Sequence, residues 1–150
     1  MNRLEAKLQR TANVTDEHLV LVIDGRPLHR IVAELAPERE LEGLVPTFLD
    51  WFEDPRERAL VRSRAVLAAG GSAVLPVLMC PDDLDLWCTV GVAEVASDDQ
   101  RVFWRRLGID ETSREALVRG EVGEDVAWLA GAGPFEFDRA SYERCVAAFW

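Results

Sequence analysis

The feature that most constrains this chain is a succession of β-rich runs joined by short turn sequences. "AVLPVLMC" and "CTVGVAEV" flank "PDDLDLW", and the second run continues through "ASDDQ" into "RVFWRRL". Strands linked this closely pair antiparallel, because parallel neighbours need a crossover of about a dozen residues or more. Pro76 cannot donate to a ladder, so the first run is expected at a sheet edge or at a bulge.

The flanking segments mix both periods. "RLEAKL" alternates Leu4, Ala6 and Leu8, which predicts a strand. "LVLVID" is a second strand, ended by the turn signal Asp24-Gly25. Pro27 opens a helix with Leu28, Ile31, Val32 and Leu35 on one face. "LEGLVPTFLDWF" packs inward as a short helix or loop. "DPRERALVRSRAVLAAGG" is the clearest helix, with Asp54 as cap, Pro55 in the first position and Gly70-Gly71 as its end. Its apolar face is expected at Ala59, Leu60, Val66 and Leu67. "DETSREALVRG" predicts a helix capped near Asp110, and "DVAWLAGAG" is open between types. The chain closes with "FEF" as a strand and a helix capped by Asp138, with Tyr142, Cys145, Val146 and Phe149 inward. This order of elements predicts an α+β fold, a mostly antiparallel sheet with several helices packed on it as one pair of layers. With no repeat or linker, residues 1–150 are expected to form a single domain.

Composition narrows the function. At 49% apolar and 29% charged residues the chain reads as a soluble globular protein. No apolar run approaches the roughly 20 residues that span a bilayer. The charged start "MNRLEAKLQRT" lacks the apolar core of a signal peptide, so a cytoplasmic protein without membrane association is expected. Net charge is −10, from 27 acidic and 17 basic residues. The densest basic stretch, Arg56, Arg58, Arg62 and Arg64, is interleaved with Glu53, Asp54 and Glu57. Nucleic-acid binding, which draws on clustered Lys and Arg, is therefore disfavoured, and a basic protein partner suits the surface better.

Reactive residue types crowd into "CPDDLDLWC". Zinc wants four Cys, His or carboxylate ligands, commonly with paired C-x₂₋₄-C spacing. Cys80 and Cys88 have seven residues between them, no second pair and no nearby histidine, since His18 and His29 are far off in sequence. The expectation is no metal, with Cys80 and Cys88 as small apolar residues at strand ends and their use as ligands the weaker alternative. Three cysteines, Cys145 being the third, do not suggest a disulfide scaffold. Asp82, Asp83 and Asp85 lack the glycine and the twelfth-position glutamate of a calcium loop, and Pro81-Asp82-Asp83 reads as a turn. Ser72 lies outside a G-x-S-x-G elbow, and "GAGPFEF" does not open a helix as a phosphate loop must. Glu94, alone in an apolar run, would pair with Arg105 or Arg106 if it faced inward. No catalytic residues and no cofactor emerge, so a non-enzymatic role is favoured, the alternative being a metal-binding or catalytic domain centred on the Cys80–Cys88 loop. Trp87 and Trp104 are expected at the surface, and Asp82, Asp83, Asp85 and Trp87 are the candidate binding residues.

"VLPVLMCPDDLDLWCTVGVAEV", followed by "VFWRRLGID" and preceded by "LVLVIDGRPLHRIV", resembles a group of small bacterial proteins. These share a Leu-Pro, Cys-Pro-Asp-Asp, Cys-Thr core, and some are grouped with immunity proteins of polymorphic-toxin systems. The resemblance spans Leu19 to Asp110. It implies a compact α+β binder that occludes a toxin domain, and it assigns no catalytic residue.

Overall fold

The computed structural model describes residues 1–115 and 119–150. Among these residues the fold is α+β, with three helices packed on antiparallel sheets. β1 (Leu4–Gln9) pairs with β2 (His18–Ile23), Leu4 opposite Ile23. Asp24 and Gly25 both take positive φ, 50° and 82°, the backbone of a tight hairpin that Asp-Gly supports. β3 (Arg26–Pro27) then folds back on β2. α1 (Leu28–Leu35) follows with Pro27 at its cap position, burying Leu28, Ile31 and Val32 while Leu35 is partly covered.

"LEGLVPTFLDWF" does pack inward: Leu41, Leu44, Val45, Phe48, Leu49 and Phe52 are all buried. It contributes β4 (Val45–Pro46). α2 (Pro55–Ala65) starts as expected, with the Asp54 carboxylate accepting from the Arg56 N–H at 2.9 Å. It ends earlier than Gly70-Gly71 implied, and it buries a different stripe. Glu57, Val61 and Ala65 face inward, whereas Ala59 and Val66 are exposed and Leu60 and Leu67 half-buried. The cause is polar. The Glu57 carboxylate accepts the Leu86 N–H at 3.0 Å, which turns the helix about an acid that an apolar pattern does not register.

The larger sheet runs β4, β5 (Ser72–Met79), β6 (Val90–Ser97), β7 (Arg101–Asp110) and β8 (Val126–Trp128), with β9 (Phe135–Asp138) also on β7. Pro76 sits at a bulge. Pro76 faces Val92 and Leu78 faces Gly91, so Val77 is the extra residue. A second bulge lies between β6 and β7, where Ala93 faces Leu107 and Val95 faces Trp104. Arg105 and Arg106 thus share one position opposite Glu94, and both are exposed.

Trp104 is not a surface residue. Its side chain is fully buried, edge-on to Phe137 at 5.5 Å and to Tyr142 at 6.2 Å. β7 carries it under α3 (Arg139–Ala147), which lies against β1, β7 and β9. Asp138 caps that helix by accepting from the Ser141 N–H at 2.9 Å, and Tyr142, Cys145, Val146 and Phe149 are buried as their spacing implied. Tyr142 also donates to the Ala65 carbonyl at 2.9 Å, tying α3 to the end of α2. The two sheets meet at Asn2, whose N–H donates to Glu136 O at 2.7 Å while its Oδ1 accepts from the Glu136 N–H at 2.8 Å.

The expected helix in "DETSREALVRG" does not begin at Asp110, which is the last residue of β7. Residues 116–118 of that stretch lie outside the described residues. "DVAWLAGAG" supplies β8. Among the described residues, no helix is long and apolar enough to cross a membrane.

Candidate functional site

The candidate residues occupy the connection from β5 to β6, residues 80–89. Because Met79 and Val90 are partners in the ladder, the ends of this loop start close together. Cys80 and Cys88 are brought to a Cα separation of 6.2 Å and form a disulfide, within the usual range for that bond. This corrects the expectation of two unlinked thiols. Sequence spacing hid the pairing, since it is the antiparallel register that places one cysteine at each mouth of the loop. Cys145 is the free cysteine; it is buried, and burial pushes its thiol up to about 11.

The loop is held from beneath at three points. Leu86 is fully buried beside the core, and its N–H is the one that Glu57 accepts. Arg114 reaches the other arm, donating from Nε to Trp87 O at 3.2 Å and from Nη2 to Cys88 O at 3.4 Å. Arg114 is in turn fixed by Asp110, with Nη1 to Oδ2 at 2.7 Å and an Asp110 side chain fully shielded from water. The other Asp110 oxygen accepts from Thr112 Oγ1 at 2.8 Å and from the Gly123 N–H at 2.9 Å. The Leu86–Cys88 arm of the loop therefore rests on a hydrogen-bonded polar network.

On this base the four candidates separate. Asp82, Asp83 and Trp87 are exposed, Trp87 by 40%. Asp85 is half-buried and its Oδ1 accepts from the Trp87 N–H at 2.9 Å, a local turn that fixes where the indole leaves the backbone. Leu84, with φ 52°, makes the tightest part of the loop and donates its N–H to Cys80 O at 3.4 Å. Asp83 alone of the three aspartates brings its carboxylate to the sulfurs: one oxygen of Asp83 and the Sγ atoms of Cys80 and Cys88 all lie within 4.8 Å of one another. Beside Trp87 opens a cleft of about 500 Å³, bordered by Arg39, Thr89, Glu111 and Arg114. Arg39 and Glu111 bridge across its edge at 2.8 Å.

The remaining sequence candidates lie away from this loop. His18 lies in the core, its Nε2 3.1 Å from Thr11 Oγ1 and its ring edge-on to Trp51 at 5.1 Å. His29 is buried on α1, and loss of hydration holds it neutral, lowered to about 4. Neither belongs to the cysteine cluster. Glu94 pairs with Arg106 at 2.8 Å, and that guanidinium stacks 4.0 Å above Trp128. The arginines of α2 are dispersed: Arg56 pairs with Asp54, Arg58 with Asp50, and Arg62 stacks on Trp150. Arg64 donates inward to the carbonyls of Val74, Val122 and Gly120.

Sequence reasoning missed Glu57, Leu86, Asp110 and Arg114. For Leu86 a signal existed: it is an apolar residue inside a polar turn, the mark of a loop with a buried foot. Comparisons with protein-family models, with curated proteins and with solved structures found no match for this chain.

Proposed function

We propose that this protein is a non-enzymatic interaction module that binds a basic protein partner in the cytoplasm, in the manner of an immunity-type inhibitor on a basic toxin domain. The contact is made by Asp82, Asp83, Asp85 and Trp87. One observation carries this reading: an exposed tryptophan on an acidic loop whose backbone is locked by Glu57, Leu86 and Arg114. Ordering a loop and its side chains on binding costs affinity, and a loop already ordered avoids that cost. An exposed indole beside carboxylates fits the composition of interface hot spots and the charge complement of a basic surface. The net charge of −10 speeds encounter with such a partner. The dispersal of the α2 arginines onto Asp54, Asp50 and Trp150 supports a role without nucleic acid.

The test is recovery of the partner from the native host on the immobilised full chain, followed by titration of the purified pair. Trp87→Ala should weaken binding by at least about tenfold, as hot-spot truncations do, without changing the unfolding midpoint. Association should slow as salt rises. A partner that binds Trp87→Ala and wild type equally, or at a salt-independent rate, would sink the proposal.

A further inference from the structure

The loop holds a donor set that shares only Asp83 with the docking residues. Two cysteine sulfurs and the Asp83 carboxylate converge within 4.8 Å, from positions at the two mouths and the turn of one short connection. When Cys80 and Cys88 are joined, the sulfurs satisfy each other. When they are reduced, the same backbone leaves two thiols facing each other with a carboxylate alongside. We propose that the reduced protein binds one zinc-like divalent cation through Cys80 Sγ, Cys88 Sγ and an Asp83 oxygen, with water completing the coordination.

The chemistry selects the ion. Thiolates favour zinc and other borderline or soft cations over magnesium and calcium, which prefer all-oxygen sites. Three protein ligands and one water is the pattern of an open tetrahedral zinc site. The sulfurs and Asp83 sit where solvent reaches them, Asp83 exposed and both cysteines half-buried, so water has access to the fourth position. Arrangement favours it too. The loop is fastened by the Glu57, Leu86 and Arg114 contacts, none of which involves a proposed ligand side chain. Asp85 spends Oδ1 on the Trp87 N–H, whereas Asp83 is the aspartate grouped with the sulfurs. Binding converts two thiols to thiolates, so each cation bound releases two protons and affinity rises with pH. The bonded and metal-bound states exclude each other because they use the same sulfur electrons.

The experiment uses the full chain, reduced with a phosphine, freed of reductant without air, and titrated with cobalt(II) and then zinc. Expected are saturation at one equivalent, a thiolate-to-cobalt charge-transfer band, its loss on adding zinc, and proton release on zinc binding. Asp83→Asn should keep the band and lower zinc affinity by at least about tenfold, the scale on which even outer-shell partners act. Asp82→Asn should match wild type. Cys88→Ser, with one thiolate left, should cut the charge-transfer band to half or less and weaken cobalt binding. Circular dichroism of each variant checks the fold, and Asp83→Asn, exposed and with both cysteines kept, tests the site if the serine variant unfolds. The proposal is overturned by absence of the band in the reduced chain, by its persistence at undiminished intensity in Cys88→Ser, or by unchanged zinc affinity in Asp83→Asn. None of these readouts involves a protein partner, so the docking proposal stands or falls separately.

Discussion

Replacing Arg114 with methionine tests whether the loop is held from below as described. The substitution keeps most of the side-chain volume but removes the cation from a fully shielded Asp110 carboxylate, 2.7 Å away. Breaking a buried pair by removing one partner costs about 3–5 kcal/mol. Two corrections reduce that figure here. The Arg114 side chain is 26% exposed, so water already screens part of the attraction. Asp110 also keeps its bonds from Thr112 and the Gly123 N–H, which leaves about 2 kcal/mol for the pair itself. Loss of the donors to Trp87 O and Cys88 O adds about 1 kcal/mol between them at this half-exposed rim. The total, about 3 kcal/mol, corresponds to a fall in Tm of roughly 6–12 °C for a chain of this size. Urea unfolding gives the equilibrium value, and hydrogen exchange at the Leu86 and Trp87 amides reports the loop. The decisive comparison is with Asp110→Asn in the Arg114→Met background. If an uncompensated charge is the main cost, removing that charge restores at least about 1 kcal/mol. A single variant within about 0.5 kcal/mol of wild type, or a second substitution that only adds to the loss, would refute the reasoning.

Other expectations test separate parts of the fold. Glu57→Ala strips the Leu86 N–H of its buried acceptor and should cost about 1–3 kcal/mol, with faster hydrogen exchange at Leu86; unchanged exchange would show that the α2 contact does not hold the loop. Gly108→Ala would set its Cβ 2.5 Å from Val126 Cγ1 and 2.8 Å from Ala127 O, so unfolding measurements should show a loss of about 1–3 kcal/mol as β8 is displaced. His29 titrates near 6.5 when unfolded but at about 4 when buried, so between those values the unfolded chain binds more protons. Its contribution to stability is present above about 6.5, falls as pH drops, and levels off below about 4. Unfolding midpoints over that range should decline less in His29→Leu, and parallel curves would refute the assignment.

Parts of this fold determined by neighbours in sequence were legible, and parts determined by distant contacts were not. The Asp54 and Asp138 caps, the Asp24-Gly25 turn and the strands before and after "ASDDQ" all follow from residues a few places apart. Glu57 was not legible, because on a charged helix an acid reads as solvated until Leu86 arrives 29 residues later. Trp87 and Trp104 are one residue type in two situations, separated only by which of them lies under α3. The cysteines were visible as a crowded motif, but spacing rules for metal sites assume ligands presented by their own local turns. Here the hairpin register brings the sulfurs together, and the carboxylate joins them through a tight turn at Leu84.

The bulge opposite Glu94 carries a consequence for chain length. Arg105 and Arg106 stand side by side outward, between the inward Trp104 and Leu107. Removing one of them leaves an in-out-in alternation with every other partner of β6 unmoved. A deletion at any neighbouring position of β7 would instead turn core side chains to water. The hairpin thus has one site where its length is negotiable. A variant lacking Arg105 and retaining the Arg106 bridge to Glu94 should unfold cooperatively near the wild-type midpoint, whereas one lacking Phe103 should not fold.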